Sequence, residues 1–576
     1  MTAARMPRRW TLAALALALA ACDGEGAADG GLDAAAPAGD AGPDAQVTDA
    51  QVTDAAPPDG AAPPDAGPGV ETVEVSHARE IRGVWIATVY NINWPSSSRL
   101  DAAAQRAELD GLLDTARAAG MNSVFLQVRA ESDAFYRSEL EPWSRFLTGT
   151  PGRDPGWDPL AYAVDAAHAR GLELHAWMNP YRALVSGEPS AAASTHIVNA
   201  RPDLVVRYGS LHWMDPGNPE GRAHVLAVIR DVLTRYDLDG LHFDDYFYPY
   251  PESGVAFPDD ATFAAYGGGL SRPDWRRQNV NTMVREVHEL VRAVRPDVRF
   301  GISPFGIYRP DMPPGIRGLD QYAALFADPL AWMEGGHVDY IAPQLYWPTT
   351  QTAQDYARLL EWWSERADAT GRTLVVGNYL AQLGSSAAWS LEEIRTQLRL
   401  VRDEPRAHGN IQYHIGPITT DRMGVRAALA AHHATPAATP ALVDRGPAPS
   451  PPGVTVAGSQ VTLTGEGRCF AAYREVGGAF RIERLIFASS ATLSRGRWAI
   501  SRIARDGTES RGVVVTIADG GEPPPEGMAC THSFGGRYAH TACSASYQCC
   551  DGAWRMRTEG CGACRCVEES GSVGCE

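Results

Sequence analysis

The chain has 576 residues, a formal net charge of −18 and 10 cysteines; one hydrophobic core cannot serve that length, so two or three domains with tails are expected. All 51 basic residues are arginine, which excludes a Schiff-base lysine, a phosphate-loop lysine and a pyridoxal-phosphate anchor. Residues 23–76 hold twelve acidic and no basic side chains, so most of the acidic excess sits in one segment, and no basic stripe suits nucleic acid.

Residues 1–22 read as an export signal. Arg5, Arg8 and Arg9 precede the apolar stretch Trp10 to Ala20, which is too short for a permanent membrane span. Its ending, Leu19-Ala20-Ala21-Cys22, resembles a bacterial lipobox, which implies cleavage before Cys22 and a lipid thioether on its sulfur. The alternative is an ordinary signal peptide with an incidental cysteine. Residues 23–76 are mostly Ala, Asp, Pro and Gly and cannot bury enough apolar surface to offset ordering entropy, so a disordered tether is expected. The expected product is exported, membrane-anchored through its lipid and monomeric.

From residue 77 to 435 apolar strands alternate with helices. The strand candidates are Gly83–Val89, Ser123–Arg129, Leu172–Met178, Gly240–Asp245, Val298–Ser303, Val338–Leu345, Thr373–Tyr379 and Asn410–Ile415. Eight helical stretches fill the gaps, among them Gln321–Gly335 and Thr420–His432. Eight such units predict an α/β fold, a (β/α)8 TIM barrel. A doubly wound sheet would need a Gly-rich loop after its first strand, and Val84-Trp85-Ile86-Ala87-Thr88 is not one.

A Pro-rich linker, 436–452, leads to short alternating strands over 453–519. There Trp498 to Ser510 resembles the last hairpin of a fibronectin type III β-sandwich, which implies a spacer or accessory module. The tail, 528–576, carries Cys530, Cys543, Cys549, Cys550, Cys561, Cys564, Cys566 and Cys575. Cys561, Cys564 and Cys566 have a spacing that zinc could use. An even cysteine count in a short exported segment reads instead as a four-disulfide module of open connectivity. Cys469 is left over as a buried sandwich residue.

Active sites of such barrels form at the strand carboxyl ends. The fourth strand ends in Leu241-His242-Phe243-Asp244-Asp245-Tyr246-Phe247-Tyr248. Two carboxylates among aromatic rings suit glycosidic cleavage: one acid protonates the leaving oxygen, a second group stabilises the anomeric centre, and flat rings stack on sugars. A helix cap or structural Asp pair is the competing reading. The other strand ends tip the balance: Gln127, Arg129 and Glu131 on strand two, His175, Trp177, Asn179 and Tyr181 on strand three, His242 and Tyr246 on strand four, Gln344, Tyr346 and Trp347 on strand six, with Trp213 from loop three. Amides, rings and carboxylates suit hydroxyls and an acetamido group rather than a phosphate or hydride carrier. A metal amidohydrolase would want a His-x-His on strand one, where Arg82-Gly83-Val84-Trp85 stands. No metal or other cofactor is expected.

Six stretches in order, including Arg79 to Trp85, Leu174 to Arg182, Asp239 to Tyr246, Gly301 to Gly306 and Asp339 to Trp347, resemble the glycosyl-hydrolase-like ten family. That family includes bacterial lipoproteins, some at the division site, that cut peptidoglycan glycan stripped of its stem peptides. The resemblance implies a barrel glycosidase acting on envelope glycan. Asp244 and Asp245 are the expected catalytic pair. In one route Glu131 or the second Asp is the nucleophile or base; in the other the substrate's acetamido oxygen attacks while one Asp orients it. Neighbours on a strand face opposite ways, so both reach the sugar only if the strand ends between them, at Asp244. A glycan-binding protein without turnover is the alternative.

Overall fold

The computed structural model describes residues 70–442, 447–518 and the backbone of two hairpins between 547 and 574. Among these, Glu80–His433 form one compact unit, and the residues up to Arg79 with those from Ala434 onward form another. The lipidation cysteine, the signal segment and the disulfide framework expected of the tail lie outside the described residues.

The first unit is a closed barrel of eight parallel strands: β1 (Ile81–Ile86), β2 (Ser123–Arg129), β3 (Glu173–Met178), β4 (Gly240–Phe243), β5 (Arg299–Ile302), β6 (Tyr340–Ile341), β7 (Thr373–Asn378) and β8 (Ala407–Gln412). Each strand pairs with its neighbour in sequence, and β8 closes on β1 with Gly409 opposite Ile81. Nearly every strand residue is buried, as expected where helices cover one face and the lumen fills the other.

Close approach explains three strand glycines. A Cβ on Gly83 would sit 2.6 Å from the Phe125 ring, one on Gly240 2.2 Å from His175, and one on Gly301 2.1 Å from Tyr340. Large rings on β2, β3 and β6 thus occupy the space that glycines on β1, β4 and β5 leave, which is how the lumen reaches packed density.

Helices follow the strands and start on clear signals. Asp101 caps Ala102–Ala118 by accepting from the Ala104 N–H at 2.8 Å, and Asn218 caps Pro219–Arg235 with Pro at the first turn. The expected helix Gln321–Gly335 is broken into Gln321–Ala324 and Pro329–Glu334. Phe326 takes a left-handed φ of 54°, and Pro329 after the Asp328 cap starts a new helix. The helix expected from Thr420 starts only at Val425, because Asp421 and Met423 have φ of 47° and 54°.

In the second unit, Gly453–Ala457, Gln460–Thr464 and Ser490–Thr492 form one antiparallel sheet. Ala479–Ile486, Cys469–Val476, Gly496–Ile503 and Gly512–Ile517 form the other. Val461, Leu463, Phe470, Trp498, Ile500 and Ile517 share one core, so the sheets make a sandwich. Thr72–Val73 adds an antiparallel edge strand opposite Val513. The end of the expected tether is therefore ordered: Val73 and Val75 pack against the cluster of Tyr473, Ala499 and Ile503. Cys469 is buried in the sandwich core. Among the described residues no helix is long and apolar enough to cross a membrane.

Candidate active site

β4 stops at Phe243. Asp244 and Asp245 occupy the turn beyond it, where strand alternation no longer separates them, and both line one open cleft of about 790 Å³. Trp85, Val89, Ile92, Gln127, Trp177, Arg182, Tyr246, Tyr250, Ser303, Gln344, Tyr346, Tyr379 and Tyr413 complete its walls.

The two carboxyls have unlike surroundings. Asp244 Oδ2 accepts from Trp177 Nε1 at 3.0 Å and from Asn179 Nδ2 at 2.6 Å, and its Oδ1 accepts from the Tyr246 N–H at 3.1 Å. Asn179 is itself fixed: its Oδ1 accepts from Gln127 at 2.7 Å and from Arg182 at 2.8 Å. Gln127 in turn accepts from the Thr88 and Val89 N–H groups at 3.0 and 2.9 Å. Asp245 Oδ2 accepts from the Tyr250 hydroxyl, and the Gln344 side chain also hydrogen-bonds the Asp245 carboxyl. Burial raises the pKa of Asp244, opposed by the Arg182 charge and by its three donors. Asp245 is pushed up to about 7, by burial first and then by the charge of Asp244. Three donors demand an ionised acceptor at Asp244, and the proton of the pair resides on Asp245.

The structure sorts the other expected site residues into three groups. Gln127, Trp177, Tyr246, Gln344 and Tyr346 line the cleft with the Asp pair. Asn179 is fully buried and positions Asp244 from behind.

The remainder are structural and correct the expectation. Arg129 is 0% exposed, its guanidinium paired with Glu141 at 2.5 Å and donating to the Asn179 and Pro180 carbonyls; it holds loop three, not a sugar. His175 and His242 fill the lumen: His175 Nε2 lies 3.1 Å from Glu173, and His242 bonds Tyr340 at 2.8 Å and Ser303 at 3.1 Å. Tyr181 and Trp213 are fully buried, the indole donating to the Phe247 carbonyl at 2.9 Å, and Trp347 packs edge-on to Phe305. None of these rings is a free stacking platform. Glu131 is absent from the cleft; it lies in a smaller pocket, ion-paired to Arg145 at 2.6 Å, which removes it as the partner acid.

Sequence reasoning missed Trp85, Tyr250 and Tyr413 as cleft residues. Tyr413 directly follows β8, so extending the strand-end survey to the eighth strand would have found it. Trp85 sits inside β1, and Tyr250 belongs to a loop whose return toward Asp245 has no sequence signature. Tyr346 and Tyr379 stack at 4.7 Å and Tyr346 and Tyr413 at 5.9 Å, giving one contiguous aromatic cluster on the cleft wall. Among the described residues no cluster of three or more His, Cys, Asp or Glu is spaced for a metal ion.

A barrel whose C-terminal mouth joins a carboxylate pair to aromatic walls is the architecture of glycan-cleaving enzymes. The chain belongs to the glycosyl hydrolase-like 10 family, whose sequence model matches residues 80–390. It is 38% identical over 376 residues to the Glycosyl hydrolase YngK of Bacillus subtilis (strain 168), covering 63% of this chain and 74% of that protein. It is 33% identical over 365 residues to the Glycosyl hydrolase DigH of Escherichia coli (strain K12), covering 58% of this chain and 83% of that protein. Among solved structures, the PgaB (BpsB) glycoside hydrolase domain from Bordetella bronchiseptica aligns with a TM-score of 0.41 at 13% identity, over 61% of this chain and 98% of that one.

Proposed function

We propose that the chain is an exported, lipid-anchored glycoside hydrolase that cleaves peptide-free peptidoglycan glycan with the help of the substrate's own acetamido group. The observation that carries this reading is the unequal Asp pair: one carboxylate holding three donors with one lone pair left, its neighbour raised to a pKa of about 7 and lining the cleft. Asp245 donates its proton to the glycosidic oxygen. Asp244 keeps a free lone pair on Oδ1, accepts the acetamido N–H, and balances the positive charge that grows as the acetamido oxygen reaches the anomeric carbon. Bond cleavage then leaves a cyclic intermediate on the sugar, and Asp245, now a carboxylate, takes a proton from the water that opens it. The tyrosine wall and Trp177 supply stacking faces and limit water.

The anchor and tether support an envelope location, where a cleft open at both carboxylates meets long glycan strands. The sandwich, with its three- and four-stranded sheets from residue 453 onward, suits a fibronectin type III-like spacer, and the cysteine-rich tail suits an accessory wall-binding module.

The test is product release from peptide-free and peptide-bearing peptidoglycan, read by mass spectrometry for wild type and Asp244→Asn. Soluble oligosaccharides from peptide-free glycan alone, reduced by a factor of about 10² or more in the variant, support the proposal. Tight binding without any product leaves a glycan-binding protein instead.

A further inference from the structure

A second, smaller and solvent-open pocket is lined by Glu131, Asp133, Trp143, Arg145, Leu184 and His196, among others. It is built from buried polar groups. Glu131 and Asp133 are 2% and 3% exposed. Glu131 pairs with Arg145 and accepts the Val185 N–H at 3.0 Å. Asp133 Oδ1 accepts the Glu131 N–H at 2.9 Å, whereas Asp133 Oδ2 is buried with no hydrogen-bond partner among the described residues. A buried acceptor without a donor is costly, and a ligand donor relieves that cost. Trp143 is half-buried at the pocket wall, and its backbone is fixed by a bridge to Ala134.

The pocket and the cleft share chain segments. Arg182 lines the cleft and Leu184 the pocket, and both belong to the short strand Arg182–Leu184, so their backbones are roughly 7 Å apart. Tyr90, 42% exposed, donates its hydroxyl to the Val185 carbonyl at 3.1 Å, next to Leu184 in the chain. Its neighbours Val89 and Ile92 line the cleft. Arg145 pairs with Glu131 and Arg207 lies 3.7 Å from Glu188, which leaves Asp133 as the pocket acid with no ion pair among the described residues, so the pocket opposes a carboxylate and accepts hydroxyl or amine donors.

Resting on the glycan reading above, we propose that this pocket is a remote subsite, one or two sugars from the Asp pair. It takes a pyranose that bears no carboxylate, with its ring on Trp143 and a hydroxyl donating to Asp133 Oδ2. In a strand of alternating sugars the subsite then selects the unit without the lactyl acid and fixes the register in which the cleft cuts.

The test is calorimetric binding of peptide-free glycan oligosaccharides of two, four and six sugars to the full chain carrying Asp245→Asn. Trp143→Ala and Asp133→Asn are then added singly. Loss of one stacking face or one hydrogen bond is expected to weaken the longest oligosaccharide about tenfold and leave the disaccharide unchanged. Trp143→Phe, which keeps a ring, is expected to retain most of the affinity, and unchanged thermal unfolding guards against a folding defect. Equal losses at every length, or no loss at any, would overturn the subsite. Length-dependent binding by a wild type that releases no product would leave the subsite standing and sink the glycosidase reading; no glycan binding at all would sink both.

Discussion

The functional content of the site is a difference between two adjacent, chemically identical residues. Asp244 meets an indole N–H, an amide and a backbone N–H, and Asp245 meets a tyrosine hydroxyl. That difference was only half legible in the sequence. The Asp-Asp pair among aromatics marked the place, but the assignment of roles needed to know that Asn179, held by Gln127 and Arg182, aims at one oxygen. It carries a pH signature. With Asp245 raised to about 7, kcat/KM falls tenfold per unit above about pH 7 as the acid is lost. Stability moves too. Between the unfolded aspartate pKa near 3.9 and about 7 the unfolded chain loses a proton that the native Asp245 keeps, so Asp245 lowers stability as pH rises through that window. Asp245→Asn removes the titration. Its melting temperature relative to wild type is expected to be higher at pH 8 than at pH 4, as differential scanning calorimetry would read; a pH-independent difference would contradict the raised pKa.

At the scale of elements, the strand–helix alternation carried nearly the whole barrel, because buried parallel strands are continuous apolar runs bounded by capped helices. What it could not carry was where strands stop. Val338–Leu345 reads as one strand, yet continuous pairing is confined to Tyr340–Ile341, followed by an isolated bridge of Gln344 to Phe305 on one side and Gly377 on the other. Beyond Ile341 the chain carries Gln344 and Tyr346 to the cleft. Nor does strand patterning separate lumen polar residues from rim ones: His175 and His242 share the strand ends with Trp177 and Asp244 but point into the sealed interior. The glycines opposite those rings are the testable element. Gly301→Ala would drive a methyl to 2.1 Å from Tyr340, and overpacking of this kind costs about 1–3 kcal/mol or more. Urea unfolding should reveal that loss with an unchanged slope, whereas an unperturbed midpoint would mean the lumen has slack.

At the scale of the molecule, every barrel strand, or the turn directly after it, supplies a cleft residue: Trp85, Gln127, Trp177, Asp244, Ser303, Gln344, Tyr379 and Tyr413 in strand order. The family match ends at residue 390, before β8, yet β8 closes the barrel and delivers Tyr413. The barrel therefore extends to His433, as the compact unit does. Twelve acidic side chains without a basic one lie in residues 23–76, before β1, so the net charge of −18 says little about the cleft. The measurement that tests the central claim most directly compares wild type with Asp245→Asn on two N-acetylglucosaminides. One has a sugar leaving group, which needs an acid; the other has an acidic nitrophenol leaving group, which does not. Asp245 as the proton donor predicts a loss of about 10²–10⁴ in kcat/KM on the first and near wild-type bond cleavage on the second. Equal losses on both substrates, or none on either, would contradict the assignment of the acid to Asp245.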